Sequence, residues 1–149
     1  MKKFEFSLSH MLNYKNRILD EEQSVLQRLK SERDQIERQI NSLTREFEKT
    51  SYEMRQAQKK GTTVMEMQGF SLQLDSARTK LKDLRLAFQK ADKKVEEQTA
   101  AVVAANQEVS KLDKLQDRQY EAYRHKMEKA DEQRMEELVS LKLSRQDAG

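Results

Sequence analysis

The sequence predicts an all-α protein, a long antiparallel two-helix coiled-coil hairpin with a C-terminal helical overhang. Three observations predict it. A hydrophobic 3-4 repeat runs through nearly the whole chain, it is interrupted once, and it changes phase near the end. The first arm passes from Leu8 through Leu12, Leu19, Leu26, Leu29, Ile36, Ile40, Leu43, Phe47 and Met54 to Ala57, with only Lys15, Glu22, Arg33 and Thr50 polar. The second passes from Phe70 through Leu74, Ala77, Leu81, Leu84, Phe88, Ala91, Val95, Val102, Ala105 and Val109 to Leu112, with only Gln98 polar. A sustained seven-residue repeat makes a narrow apolar stripe that must face another helix and imposes a left-handed supercoil.

Composition supports long helices. The chain has no proline, cysteine or tryptophan and only three glycines, while charged residues reach 37% and hydrophobic ones 36%. So much charge would also suit disorder, but a disordered segment has no reason to keep a heptad. A stripe of this kind forms a rod rather than a compact core. A rod offers no enclosed pocket, so function is expected in what it touches.

The first helix is expected over about 8–59. Ser7 or Ser9 supplies the N-cap, and Phe4 or Phe6 packs back as a hydrophobic staple. At 1.5 Å per residue it spans roughly 75 Å. The tip falls over about 60–69. Lys59 and Lys60 suit a helix C-terminus, and Gly61 suits the left-handed residue that ends it. Thr63-Val64-Met65-Glu66 matches a capping box, so a second helix begins near Val64 and runs to about 143. Gly69 weakens its first turns by roughly 1 kcal/mol against alanine. Residues 143–149 are expected to fray. The whole chain, 1–149, reads as one elongated domain.

A short connection makes the two helices antiparallel neighbours. Paired residue numbers then sum to about 125, the value set by a turn near residues 61 to 64. Leu12 faces the region of Leu112, and the first helix is used up opposite Tyr120. The stretch from about Ala122 to Leu143 is left without a partner. The strict repeat also fails there: continuing it from Leu112 gives Gln116, Gln119, Tyr123 and Lys126, whereas the apolar residues are Leu115, Tyr120, Tyr123, Met127, Ala130, Leu138 and Leu141. This stretch is expected to leave the seam, either frayed or awaiting a partner. The polar seam positions are expected to fix register.

No chemistry is legible. His10 and His125 lack acidic ligands beside them, and no Gly-rich phosphate loop, His-Glu-x-x-His or nucleophile elbow occurs. Adjacent acids such as Glu21-Glu22 point to different helix faces. The expectation is no catalytic residue, no metal site and no cofactor. Net charge is +3, from 29 basic and 26 acidic side chains that are interleaved along the chain, which describes a solvated helix surface rather than a nucleic-acid stripe. No stretch approaches the roughly 20 apolar residues that span a bilayer, so no direct membrane insertion is expected. Absence of cysteine fits a reducing compartment.

Three segments resemble a known family. Phe4-Glu5-Phe6-Ser7-Leu8 followed by Met11-Leu12-Asn13-Tyr14-Lys15, the tip from Lys60 through Gly61 and Gly69 to Phe70 and on to Leu74-Asp75, and Lys114 to Tyr120 with Asp131 to Leu138 are similar to the flagellar FliJ proteins. The resemblance covers the chain in length, hairpin position and polarity. It implies an antiparallel two-helix coiled coil similar to the central stalk of rotary ATPases. It implies a non-enzymatic, cytoplasmic component of flagellar type III export, peripheral to the inner face of the membrane through the export apparatus. The implied partners are the hexameric export ATPase, the cytoplasmic domain of the export gate FlhA, and export chaperones.

Carried over by position, the implied gate residues are Gln39, Leu43, Phe70, Leu74 and Ala77. Here Glu46 and Thr50 stand where some members carry aromatics, and Leu81 stands in place of a histidine. Leu43, Phe70, Leu74 and Ala77 fall on the predicted seam, so either the seam opens near the tip or these residues are core. By stalk analogy the overhang enters the ATPase ring, with Arg118, Tyr120, Tyr123, Arg124, Met127 and Arg134 as contacts. A stalk from a virulence secretion system or rotary ATPase, and a homodimeric coiled-coil scaffold, are the competing readings.

Overall fold

The computed structural model describes residues 2–147. Two helices account for nearly all of them, α1 over Ser9–Lys60 and α2 over Val64–Asp147, with no strand among the described residues. The helices pack against each other as a hairpin. Two compact units divide the chain, residues 20–103 and the terminal residues up to 19 with those from 104.

In the unit formed by 20–103, α1 and α2 are joined by three residues. Gly61 has φ of 90°, the left-handed conformation that costs a side-chain-bearing residue about 1 kcal/mol or more. Thr63 caps α2: its Oγ1 accepts from the Glu66 N–H at 3.2 Å, and its carbonyl accepts from the Met67 N–H at 3.1 Å. The Glu66 carboxylate does not close the capping box on Thr63. It accepts instead from Thr62 Oγ1 at 2.6 Å. Helical structure therefore begins at Val64, and only Gly61 to Thr63 lie outside it.

Every position of both heptad sets is shielded from solvent to some degree. Leu74, Leu81, Val95 and Val109 are the most completely covered. Burial is graded because a single partner helix covers one side of each stripe. Fully burying such a side chain contributes roughly 1.5–3 kcal/mol, and half-covered positions give less.

Polar seam residues find partners in the same unit. The Gln98 amide donates to both the carbonyl and the carboxylate of Glu22, at 3.0 Å for the carbonyl. Arg33 reaches Asp92 at 3.4 Å and its neighbour Asp34 at 3.3 Å. Both pairs are partly hydrated, so each adds under about 1 kcal/mol of stability. Their larger effect is to penalise other registers. Arg33 with Asp92, and Arg78 stacked 5.5 Å over the Phe47 ring, keep the pairing sum set by the turn.

In the unit formed by the termini, the sequence expectation needs correction. Neither serine caps α1. Ser9 lies within the helix, Leu8 occupies the cap position with its carbonyl accepting from the Leu12 N–H at 2.9 Å, and Ser7 Oγ donates to Gln119 at 3.4 Å. Ahead of α1, the chain does not end the pairing opposite Tyr120. Residues 2–8 continue along α2. Phe6 is buried, Phe4 packs against Tyr120 and Tyr123 with ring centroids 5.3 and 5.5 Å away, and Tyr123 donates its hydroxyl proton to the Lys2 carbonyl.

The seam on α2 likewise continues past Leu112. Gln116, Gln119, Tyr123, Met127 and Ala130 are all partly covered, so the repeat passes through two glutamines and slips by one residue only at Met127. The uncovered stretch starts at Asp131 rather than near Ala122, and every residue from there to Asp147 is exposed. It stays helical through Asp147, beyond the expected start of fraying at 143. Ala148 and Gly149, the rest of that predicted tail, lie outside the described residues.

Candidate functional site

Two surfaces gather the sequence-predicted residues, one in each unit. In the unit 20–103, a shallow groove of about 600 Å³ opens beside the seam. Leu43, Leu74 and Ala77 line it together with Phe47 and Leu72, and Glu46, Lys49, Glu53 and Lys80 border it. Helical spacing explains the grouping. Leu74 and Ala77 are successive seam positions on α2, and Leu43 and Phe47 are successive seam positions on α1. The heptad that builds the core therefore also builds the groove floor.

Within that groove the residues differ in availability. Leu74 is only 6% exposed and serves the core. Leu43 and Ala77 are half-covered. Gln39 is exposed and Phe70 half-covered, and neither lines the groove. Leu72 is 71% exposed at its edge. It lies off the heptad register, so its apolar side chain has no seam to enter. Sequence reasoning passed over Leu72, although an apolar residue out of phase with a strict repeat is a readable signal of a second surface.

On the opposite flank Thr44, Phe47, Glu48, Arg78, Leu81 and Arg85 line a second groove of about 400 Å³. There the Arg78 guanidinium sits over the Phe47 ring, an arrangement worth roughly 0.5–1 kcal/mol when hydrated. Arg78 also bridges Asp75 at 3.2 Å. Both grooves are open and lined by mixed charge. They suit a protein surface better than a small molecule.

In the terminal unit the second group of residues splits in two. Tyr120 and Tyr123 are engaged with Phe4, and Met127 is half-covered on the same face. Arg118, Arg124 and Arg134 project into solvent. Arg124 pairs with Glu121 at 3.6 Å and Glu128 at 3.7 Å, and Arg134 with Asp131 at 4.0 Å. Such intrahelical surface pairs are worth about 0.3–0.5 kcal/mol and exchange readily for an intermolecular partner. Beyond them Met135, Leu138, Val139, Leu141 and Leu143 are each more than half exposed. Here too part of the apolar surface was missed: sequence reasoning names Leu138 and Leu141 but not Met135, Val139 or Leu143.

His10 and His125 are both exposed. Among the described residues no group of three or more potential ligands converges on a metal position, and no helix is long and apolar enough to cross a membrane. The arrangement thus offers apolar and charged surface for proteins to contact.

No curated protein matches the chain, and no solved structure does. The model of the family described as flagellar FliJ protein matches residues 4–148. With a match of that extent over a helical hairpin, the chain belongs to the FliJ family, a non-enzymatic family of flagellar export-related proteins.

Proposed function

We propose that this chain is a cytoplasmic coiled-coil component of the flagellar type III export apparatus that binds two partners through its two units. The export ATPase hexamer takes the exposed C-terminal stretch of α2. The cytoplasmic domain of the export gate FlhA takes the groove lined by Leu43, Leu74 and Ala77. Through these contacts the chain promotes protein export and flagellar assembly, recycles export chaperones, and reaches the inner face of the membrane only by way of its partners. The observation that carries the reading is the family match over 4–148. The flagellar family also sets this reading above a virulence secretion stalk or a rotary ATPase stalk.

Local structure supports the division of labour. A helix carrying an uncovered apolar face with arginines at hand, Arg124 and Arg134 among them, suits insertion among the acidic and apolar surfaces of a ring. Gln39 and Phe70 lie outside the groove, and Leu72 is its accessible apolar anchor.

Two variants test the reading. Removing residues after Ala130 is expected to abolish stimulation of the export ATPase while leaving FlhA binding intact. Leu72→Glu, at an exposed position that should not disturb folding, is expected to weaken FlhA binding at least about tenfold while leaving ATPase stimulation intact. Full stimulation by the shortened chain sinks the ATPase assignment. Unchanged FlhA affinity of the Leu72→Glu protein sinks the groove assignment.

A further inference from the structure

We propose that the exposed stretch from Asp131 to Asp147 is also a self-association surface, occupied by the same stretch of a second copy of this chain running antiparallel. The stretch is fully helical, and its five exposed apolar residues, from Met135 to Leu143, have no cover within the chain. What identifies the occupant is the charge order along it. Asp131, Glu132, Glu136 and Glu137 come first, and Lys142 and Arg145 follow, with only Arg134 and Asp147 against the trend. An antiparallel copy brings Asp131 of one helix to the Lys142 end of the other, at both ends, while Glu132, Glu136 and Glu137 lie off the contact stripe. A parallel copy would set like charges together. Among the described residues, Lys142 and Arg145 form no ion pair within the chain, while Asp131 and Glu128 hold only surface pairs with Arg134 and Arg124 that exchange readily.

The 3-4 spacing fixes a register. Asp131, Met135, Leu138, Lys142 and Arg145 are successive positions of one stripe. In an antiparallel pair the two kinds of seam position face each other across the twofold axis, so Met135 of one copy packs on Leu138 of the other. That same register sets Asp131 opposite Lys142 and Glu128 opposite Arg145. Each pairing occurs twice by symmetry. Glu136 and Glu137 fall on the outer faces, where water solvates them. Met135 and Leu138 of each copy supply the attraction, with Val139 and Leu141 at the margins and Leu143 on the outer face, and the flanking charges specify direction. At about 1.5 Å per residue the paired length is only ~25 Å, short for a permanent dimer. Association is therefore reversible and salt-sensitive.

Sedimentation of the full chain alone, over rising concentration at low and high salt, tests this without reference to the ATPase or the gate. A concentration-dependent shift from monomer to dimer, weakened by salt, is expected. Asp131→Lys sets lysine against lysine, and Lys142→Asp sets aspartate against aspartate. Each variant alone is expected to raise the dissociation constant at least about tenfold. An equimolar mixture of the two is expected to recover dimer, and so is the doubly substituted chain, because the opposed signs are restored. Leu138→Glu removes the apolar centre and is expected to give monomer, with helical circular dichroism unchanged. A wild-type chain that stays monomeric throughout overturns the proposal, as do single charge variants that dimerise like wild type or a mixture that stays monomeric.

Discussion

The unit from 20 to 103 and the terminal unit use the same kind of helix, and the helices meet different fates. In the first, every heptad residue lies against the other helix, and the polar intruders Glu22 and Arg33 are answered by Gln98 and Asp92. In the second, α2 outlasts its cover, and Leu138 is 57% exposed although it belongs to as apolar a helix. A periodic stripe shows that a helix needs a partner. The length of chain on the other side of the turn decides whether that partner is intramolecular.

This contrast breaks most sharply through leucine-to-alanine substitution in each unit. Leu81→Ala is expected to cost about 2–4 kcal/mol by urea unfolding, since its side chain is covered by both helices. Leu138→Ala, measured at a dilution that keeps the chain monomeric, is expected to cost under ~0.5 kcal/mol. Equal losses at the two positions would show that the exposed stretch has cover that the fold does not reveal.

The second effect in size concerns the N-terminal strap. Phe6→Ala is expected to cost roughly 2–3 kcal/mol of local stability. Its signature is faster amide exchange over 116–130 of α2, with exchange over 74–95 unchanged. Unaltered exchange over 116–130 would mean that the strap adds nothing to that helix.

At the turn the effects are smaller. Gly61→Ala is expected to destabilise by about 1 kcal/mol because the positive φ strains an L side chain, even though the added Cβ would meet only open space. Thr63→Ala is expected to cost a similar ~1 kcal/mol through the lost cap. Thermal unfolding of both variants checks these values, and an alanine at 61 that melts with wild type would place the turn in another conformation. The smallest effect sharpens the comparison from the other side. Removing residues after Ala130 should leave the free energy of urea unfolding within ~0.5 kcal/mol of that of the full chain.

Much of the fold was legible because its causes are local. Gly61, the Thr63 cap and each seam position from Leu8 to Leu112 follow from residue type and spacing alone. The strap was not legible in the same way, because residues 2–8 are non-helical and carry no period to read. Yet the pairing sum fixed by the turn, carried beyond the start of α1, brings Phe4 to the region of Tyr120 and Lys2 to Tyr123. Gln116 and Gln119 were misread because a polar residue was taken to end the seam, although Gln98 sits within it. The partner surfaces were legible only in part. Spacing located Leu43, Leu74 and Ala77, but exposure separates Leu72 from Leu74, and exposure depends on packing rather than pattern.

The bond from Tyr123 to Lys2 joins residues 121 positions apart. During synthesis Phe4 and Phe6 precede Tyr120 and Tyr123 by over a hundred residues, and they are sheltered only once those residues have followed. Contacts near Gly61 close early at little entropic cost, whereas the strap must wait for the longest loop in the molecule. Until then Phe4 and Phe6 are unprotected apolar ends. The window for misassociation or proteolysis of a nascent chain lies at these phenylalanines, and it shuts once Tyr120 and Tyr123 have been made.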